Sequence, residues 1–281
     1  MGKFDGVLIA SDYDNTLVYT EGYLEGSSGL PVLSRENREA IEYFTAQGGI
    51  FSIATGRALP AFDAVRHGIP MNGPTVLFNG AAIYDYAQGR YLYTAFLPES
   101  VRPHTRQVLQ AFPDAACEIF HDDNRVHALQ YNLLTARHEK LTHAPVQRVS
   151  SIEQIPAPLS KVLFEIDASR MAEFDAYVRS QSWADLYEII PSSNYLLELT
   201  AKGADKGGMV AKLSHLLGIA PENVFCVGDH ANDIPMLRVS HIPFAPANAI
   251  DAVLQLPGLR ILPDCRENAV AAMIRRLDEL Y

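Results

Sequence analysis

The sequence is short of several things, and each shortage narrows the field. Only three cysteines occur in 281 residues, Cys117, Cys226 and Cys265. They are odd in number, far apart and set among apolar or helical residues, which excludes a disulfide framework or a zinc-type spacing and fits reduced thiols in the cytoplasm. Basic residues are scarce: 23 Lys and Arg stand against 33 Asp and Glu, a formal charge of −10. A chain that neutralised nucleic-acid phosphates would carry the opposite balance, so no nucleic-acid partner is expected. No apolar run is long enough to span a bilayer, and the run in "MGKFDGVLIASD" is too short for a signal peptide. We therefore expect a cytoplasmic protein with no membrane partner, present as a monomer or weak homodimer. There is no internal repeat, low-complexity tract or long charge run.

What is present is a rhythm of short apolar strands and amphipathic helices. "GVLIAS" and "GIFSIATGR" are continuous apolar runs that end in polar turns, as strands of a parallel sheet do. Ser34 stands where an N-cap would open a helix to about Gln47, with Ile41 and Phe44 inward. A short helix is expected over Ala58 to His67, and "TVLFNGAAIY" reads as a third strand. In the last third, "DKGGMVAKLSHLLGI" places Met209, Val210, Leu213, Leu216 and Leu217 on one helical face. "ENVFCVGDHAND", "HIPFAP" and "LRILPD" supply further strands, and a C-terminal helix turns Val270, Met273, Ile274, Leu277 and Leu280 inward. Between about Tyr84 and Ser193 the pattern changes to five extended segments with two helices, around Ser100 to Phe112 and Ser169 to Ser182. The expected division is an α/β core from residues 1–83 and 194–281, interrupted by an α+β cap over 84–193.

Three of the core strands run into polar turns that carry chemistry. Val7–Ser11 delivers Asp12 and Asp14, Phe51–Ala54 delivers Thr55, Gly56 and Arg57, and Val224–Gly228 delivers Asp229 with Asn232 and Asp233 behind it. In an open parallel sheet these turns face one crevice at the carboxyl ends of the strands. Tyr13 points the opposite way in an extended chain, so the spacing of two puts both aspartates on one side. Four clustered carboxylates repel one another, and a divalent cation relieves this; all-oxygen ligands suit Mg²⁺. Lys206 adds a second cation and Thr55 a hydroxyl, with backbone N–H groups near a helix start. Such a set surrounds a phosphoryl group, and with its charge screened an aspartate can attack phosphorus.

"DYDNTLV", "SIATGR", "DKGG" and "GDHANDIPML", in that order and after those strands, resemble the four motifs of the haloacid dehalogenase (HAD) superfamily of phosphatases. "LFNGAAIYD" and "SSNYLLELTAKGADKGG" resemble its Cof-type subfamily, in which a C2B cap is inserted between the second and third motifs. The resemblance covers the core, including "PANAI" and "ENAVAAMI", and reaches the cap only by position. It implies a Rossmann-like parallel-sheet core with an inserted α+β cap, and a Mg²⁺-dependent phosphatase acting on a small phosphorylated metabolite through an aspartyl-phosphate. A sugar phosphate is the expected substrate class, with a phosphorylated cofactor as the other. Asp12 matches the nucleophile, and Asp14 the general acid and base that also offers its carbonyl to the metal. Asp229 matches a metal ligand and Asp233 the acidic residue supporting the metal. Thr55 and Lys206 match phosphate-binding positions; Asn232 is expected near phosphate or Lys206, and Asn79 and Gly80 at the crevice rim. Gly56 and Arg57 belong to the same phosphate- and substrate-binding set, Arg57 either contacting substrate or cap or forming a structural ion pair.

Two residues depart from the family pattern. Asn15 stands where glycine is frequent, and His230 where a small residue is common. Asn tolerates left-handed backbone, so the turn is expected to survive. "FHDDNRVH" (Phe120 to His127) reads as a polar hairpin loop, with a second metal site or a specificity loop as its other readings. "YTEGYLEGSSGLP" is either a flap or a plain surface linker. The rival functions are a phosphomutase of the same superfamily and a non-catalytic phospho-ligand binding protein.

Overall fold

The computed structural model describes residues 2–20, 31–121, 125–142 and 144–281. Most of "YTEGYLEGSSGLP" and the centre of "FHDDNRVH" lie outside the described residues, so the flap and specificity-loop readings are not addressed.

The chain opens with β1 (Leu8–Ser11), and after the helix Arg35–Ala46 comes β2 (Ile50–Ile53). Ser34 caps that helix as expected, its hydroxyl accepting from the Asn37 N–H. β3 (Thr75–Leu77), β4 (Ala82–Asp85) and β5 (Arg90–Thr94) follow, and form a small antiparallel sheet. The single strand expected from "TVLFNGAAIY" is therefore two. Asn79 (φ 55°) and Gly80 (φ 108°) take left-handed backbone, which no strand tolerates, and the chain doubles back there. The helix expected to reach His67 is regular only over Leu59–Asp63.

Six strands then build a second sheet: β6 (Ala116–His121), β7 (Val126–Gln130), β8 (Val146–Arg148), β9 (Leu159–Glu165), β10 (Tyr187–Pro191) and β11 (Leu196–Ala201). Their order is β10-β11-β9-β6-β7-β8. β5 pairs with β4 beside β3, and β11 pairs with β9 and β10. The hydrogen-bond ladders thus place Arg90–Thr94 in the small sheet with β3, and Leu196–Ala201 in the six-stranded sheet. A helix over Leu133–Thr142, which the sequence reading does not contain, packs on this sheet. Its apolar residues are too few and too scattered to mark a face.

The last third returns to the first sheet with β12 (Val224–Val227), β13 (Pro243–Pro246) and β14 (Arg260–Leu262). The parallel order is β14-β13-β12-β1-β2, and a bridge from Ala54 to Val76 joins β3 to its edge. The fold is α/β, with a parallel sheet between helices and a separate antiparallel cap sheet.

Alternation along the buried strands sends side chains to two layers. Ile9, Phe51, Ile53, Phe225 and Val227 meet Ile41, Phe44, Met273, Ile274 and Leu277 from the helices Arg35–Ala46 and Ala269–Asp278. Leu8, Ala10, Cys226 and Ala245 meet Met209, Val210, Leu213, Met236 and Leu237 from Lys206–Leu216 and Ile234–Val239. Leu216 and Leu280, expected inward, are 53% and 59% exposed: each falls one step off its buried stripe. In the cap sheet, Cys117, Ile119, Val162, Phe164, Leu197 and Leu199 pack under the helices Val101–Ala111 and Met171–Ser180. The opposite face carries Glu118, Phe120, Lys161, Leu163, Glu165 and Glu198, and it is turned towards the parallel sheet, with the Phe120 ring 5.7 Å from that of Phe78.

Candidate active site

The carboxyl ends of β1, β2 and β12 open on one cleft of about 1440 Å³, roofed by the cap sheet. Asp12, Asp14, Gly56, Arg57, Asp229 and Asn232 line its floor. Lys206, at the first position of its helix, lies fully buried beneath, and its Nζ stands 2.6 Å from both Asp12 Oδ1 and Asp233 Oδ1. Asp229 completes the group, with its Oδ1 accepting from the Thr16 hydroxyl at 2.8 Å.

Local packing holds this arrangement. Gly207 and Gly228 leave no room for a Cβ: at Gly207 it would stand 2.4 Å from the Pro235 carbonyl, and at Gly228 2.5 Å from the Asp233 side chain. Asp233 Oδ2 accepts the backbone N–H groups of Asp229 and His230, both at 2.9 Å. Both oxygens of Asp233 are therefore in use, one fixing the loop and one fixing Lys206. Asn15 does adopt left-handed backbone, φ 56°. Its N–H closes the turn onto the Val18 carbonyl, and its own carbonyl accepts from Asn248 Nδ2 at 2.8 Å. Tyr13 is buried against Phe62, away from the cleft.

The electrostatics follow from burial and crowding. Burial, and then the charge of Asp233, push Asp12 up to about 7 in spite of Lys206. Burial, and then Asp12 and Asp233, hold Asp229 well above the carboxylate range. Lys206 is held above the usual lysine value: burial opposes its charge, and the charges of Asp12 and Asp233 overcome this. Asp12, Asp229 and Asp233 each bring a carboxylate oxygen within 4.8 Å of the others, an all-oxygen set that a hard divalent cation would neutralise.

Asp14 behaves differently. Its carboxylate takes a two-pronged contact from Arg57, Nε to Oδ2 at 2.9 Å and Nη2 to Oδ1 at 2.7 Å. Although burial works to raise it, the Arg57 charge and hydrogen bonds hold Asp14 below the usual carboxylate value. The side chain is thus outside the three-carboxylate group, and Arg57 is engaged in an ion pair, stacked over Tyr13, rather than free in the cleft.

Thr55 is fully buried; its hydroxyl accepts from the Arg57 N–H, but its own N–H is spent on the Val76 carbonyl. The expected amide contribution at Thr55 itself is therefore lacking, and the helix that follows has only five residues. Asn79 is buried as well; its Oδ1 accepts from Asn232 Nδ2 at 2.9 Å, linking two of the expected residues. A Cβ on Gly56 would meet the Asn79 side chain at 2.8 Å.

Several residues of the site were not foreseen. Thr16 and Asn248 sit inside recognised motifs, yet no spacing marks their bonds to Asp229 and Asn15. Lys161 reaches from β9 to the Gly56 carbonyl at 3.2 Å and pairs with Glu198 at 3.1 Å, tying cap to core. A lysine inside the apolar run "KVLFEID" was the available signal. Glu118, His138 and Glu165 form a buried cluster in the cap wall, where burial and then the Glu118 charge push Glu165 up to about 7.

Comparison with known proteins gives the family and the likeness of fold. A family described as haloacid dehalogenase-like hydrolase matches residues 9–274. HMP-PP phosphatase of Serratia proteamaculans is 26% identical over 271 residues, covering 94% of this chain and 92% of that protein. The chloroplastic endoribonuclease YBEY of Arabidopsis thaliana is 24% identical over 261 residues; the match covers 86% of this chain but only 42% of that longer protein. Among solved structures, a HAD subclass IIB sugar phosphatase superposes with a TM-score of 0.81 at 20% identity, over 97% of this chain and 99% of that one, a likeness of fold.

Proposed function

The chain belongs to the haloacid dehalogenase-like hydrolases, and on that footing we propose that it is a Mg²⁺-dependent phosphatase of small phosphorylated metabolites, working through an aspartyl-phosphate. The observation that carries this reading is Lys206 Nζ set between Asp12 and Asp233, with Asp229 beside them at the floor of the cleft. The donor set is all oxygen and fits Mg²⁺, held by Asp12, Asp229 and the Asp14 carbonyl, with Asp233 in support. Mg²⁺, when bound, supplies positive charge to the carboxylates and to the phosphoryl oxygens.

Asp12 is the nucleophile. Lys206 steadies its charge and that of the incoming phosphoryl group. The Thr55 hydroxyl and Asn232, braced by Asn79, complete the cradle. Asp14 gives a proton to the leaving alcohol, then takes one from the water that releases Asp12. As a base it is already in the right form. As an acid it needs a proton, so Arg57 must turn from Asp14 towards the phosphoryl dianion when substrate enters.

A cleft of about 1440 Å³ is more than a small metabolite fills, so cap and core close on the ligand. Its cap side offers Ser192, Ser193, Asn194, Lys161 and Glu198, donors and acceptors that suit hydroxyls. A sugar phosphate is accordingly the substrate class we favour. A Mg²⁺-supplemented screen of phosphorylated metabolites, read as released phosphate, tests this: turnover concentrated on sugar phosphates supports it. Isomerisation of a hexose phosphate without free phosphate would establish the mutase instead, and silence across the panel a binding protein.

A further inference from the structure

The cap wall holds a buried set of ligand-type side chains for which the phosphatase reading has no use. Glu118 on β6 and Glu165 on β9 point from neighbouring strands towards His138, on the helix Leu133–Thr142. His138 Nδ1 is 2.9 Å from Glu118 Oε2 and 3.4 Å from Glu165 Oε1. The two glutamates are 1% and 0% exposed. Two carboxylates buried this deeply share one imidazole, and Lys161 on the same sheet face is already paired with Glu198, so they are under-neutralised.

A second observation points the same way. Glu165 Oε1, aimed at the imidazole, accepts no hydrogen bond among the described residues, and neither does Glu118 Oε1. The other oxygen of Glu165 is pinned by the Thr135 hydroxyl at 2.6 Å. A buried carboxylate with one oxygen held and the other turned unsatisfied to a histidine nitrogen is the arrangement of a metal ligand with its outer support.

We propose that Glu118, His138 and Glu165 form a second cation site, specific for a divalent transition metal of the Zn²⁺ type. Ligand atoms about 2.0–2.2 Å from a tetrahedral ion stand roughly 3.3–3.6 Å apart. The His138–Glu165 distance already matches, and the His138–Glu118 distance needs to open by a few tenths of an ångström as the ion replaces the shared proton. One nitrogen and two carboxylate oxygens suit Zn²⁺ better than Mg²⁺, which separates this site from the all-oxygen one on the cleft floor. A substrate ammonium fits less well, because the unsatisfied oxygens are closed to solvent and only a bare ion reaches between them. Glu118 and His138 also belong to the cleft wall, so an ion held there would lie beside the substrate space without opening into it. The ion would tie the helix Leu133–Thr142 to β6 and β9, stiffening the wall above the reaction. None of this depends on the chain being a phosphatase.

The test uses the full chain, stripped with chelator and returned to excess Mg²⁺, with Zn²⁺ as the probe in equilibrium dialysis. One Zn²⁺ per chain is expected, retained in Asp229→Asn, which disables the floor site. Glu165→Gln and Glu118→Gln should each weaken Zn²⁺ binding by at least about tenfold. Zn²⁺ should also raise the melting temperature of the wild type in Mg²⁺, and not that of Glu165→Gln. Zn²⁺ binding that is absent from the wild type, unchanged in both glutamine variants, or lost in Asp229→Asn alone overturns the proposal. The Asp229→Asn stoichiometry decides even if a cap variant fails to fold.

Discussion

At the scale of single residues, the pair Asp14–Arg57 would set the terms of the proposed proton transfer. A fork of two hydrogen bonds keeps Asp14 ionised in the resting protein. With its carboxyl depressed, Asp14 contributes stability above the ordinary carboxylate value of 3.8, lost as pH falls through its lower value in the folded chain. In Arg57→Ala the melting temperature should therefore fall most at neutral pH, and the gap to wild type should narrow below pH 3.8. Thermal scans across that range check it, and a gap constant with pH would show that Arg57 acts by packing on Tyr13 alone. Arg57→Lys keeps the charge but not the fork, and should sit between the two. Much of the site was legible at this scale because its residue types are few: Asp12, Lys206, Asp229 and Asp233 do converge, with Asp14 on the same cleft floor. That Arg57 faces Asp14 was not legible, since a motif gives an arginine its position and not its partner.

At the scale of elements, the site depends on backbone approaches that only glycine permits. Gly80 has φ 108°, and a Cβ there would stand 2.2 Å from the backbone of Asp205, the residue that caps the Lys206 helix. Gly80→Ala should destabilise the chain by about 1–3 kcal/mol and displace Lys206; chemical denaturation with Mg²⁺ affinity as a second readout measures both. Equal stability would mean that the turn at Phe78–Gly80 relaxes freely. The parallel strands were readable because each is a bounded apolar run with a polar turn at its end. The break at Asn79 was not, because "TVLFNGAAIY" is apolar on both sides of it and two short strands have the same pattern as one. The helix Leu133–Thr142 escaped for another reason. In "LLTARHEKLT", Thr135 and His138 face inward to Glu165 and Glu118, so its buried side is polar and no hydrophobic stripe appears.

At the scale of the whole molecule, three buried carboxylates at the cleft floor couple stability to pH and, on the proposed function, to metal. Asp12 ordinarily titrates near 3.8 and is raised to about 7 here, so the folded chain binds more protons than the unfolded one between those values. Its stabilising contribution is complete below about pH 3.8 and lost as pH rises through about 7. Chelated protein should thus lose this contribution with rising pH, and Mg²⁺ should raise the melting temperature more at pH 8 than at pH 5, where protons compete with the ion. Equal Mg²⁺ shifts at both pH values would place the metal elsewhere. The same crowding predicts that Asp12→Asn folds well, because the substitution removes a repelled charge while the side-chain oxygen still accepts from Lys206. That variant gives the most direct measurement: phosphate released from a simple phosphate ester by the wild type and by Asp12→Asn, each with Mg²⁺ and with chelator. Mg²⁺-dependent release by the wild type, reduced about 10⁴-fold or more in folded Asp12→Asn, is the predicted result. Release by Asp12→Asn at the wild-type rate would contradict the account.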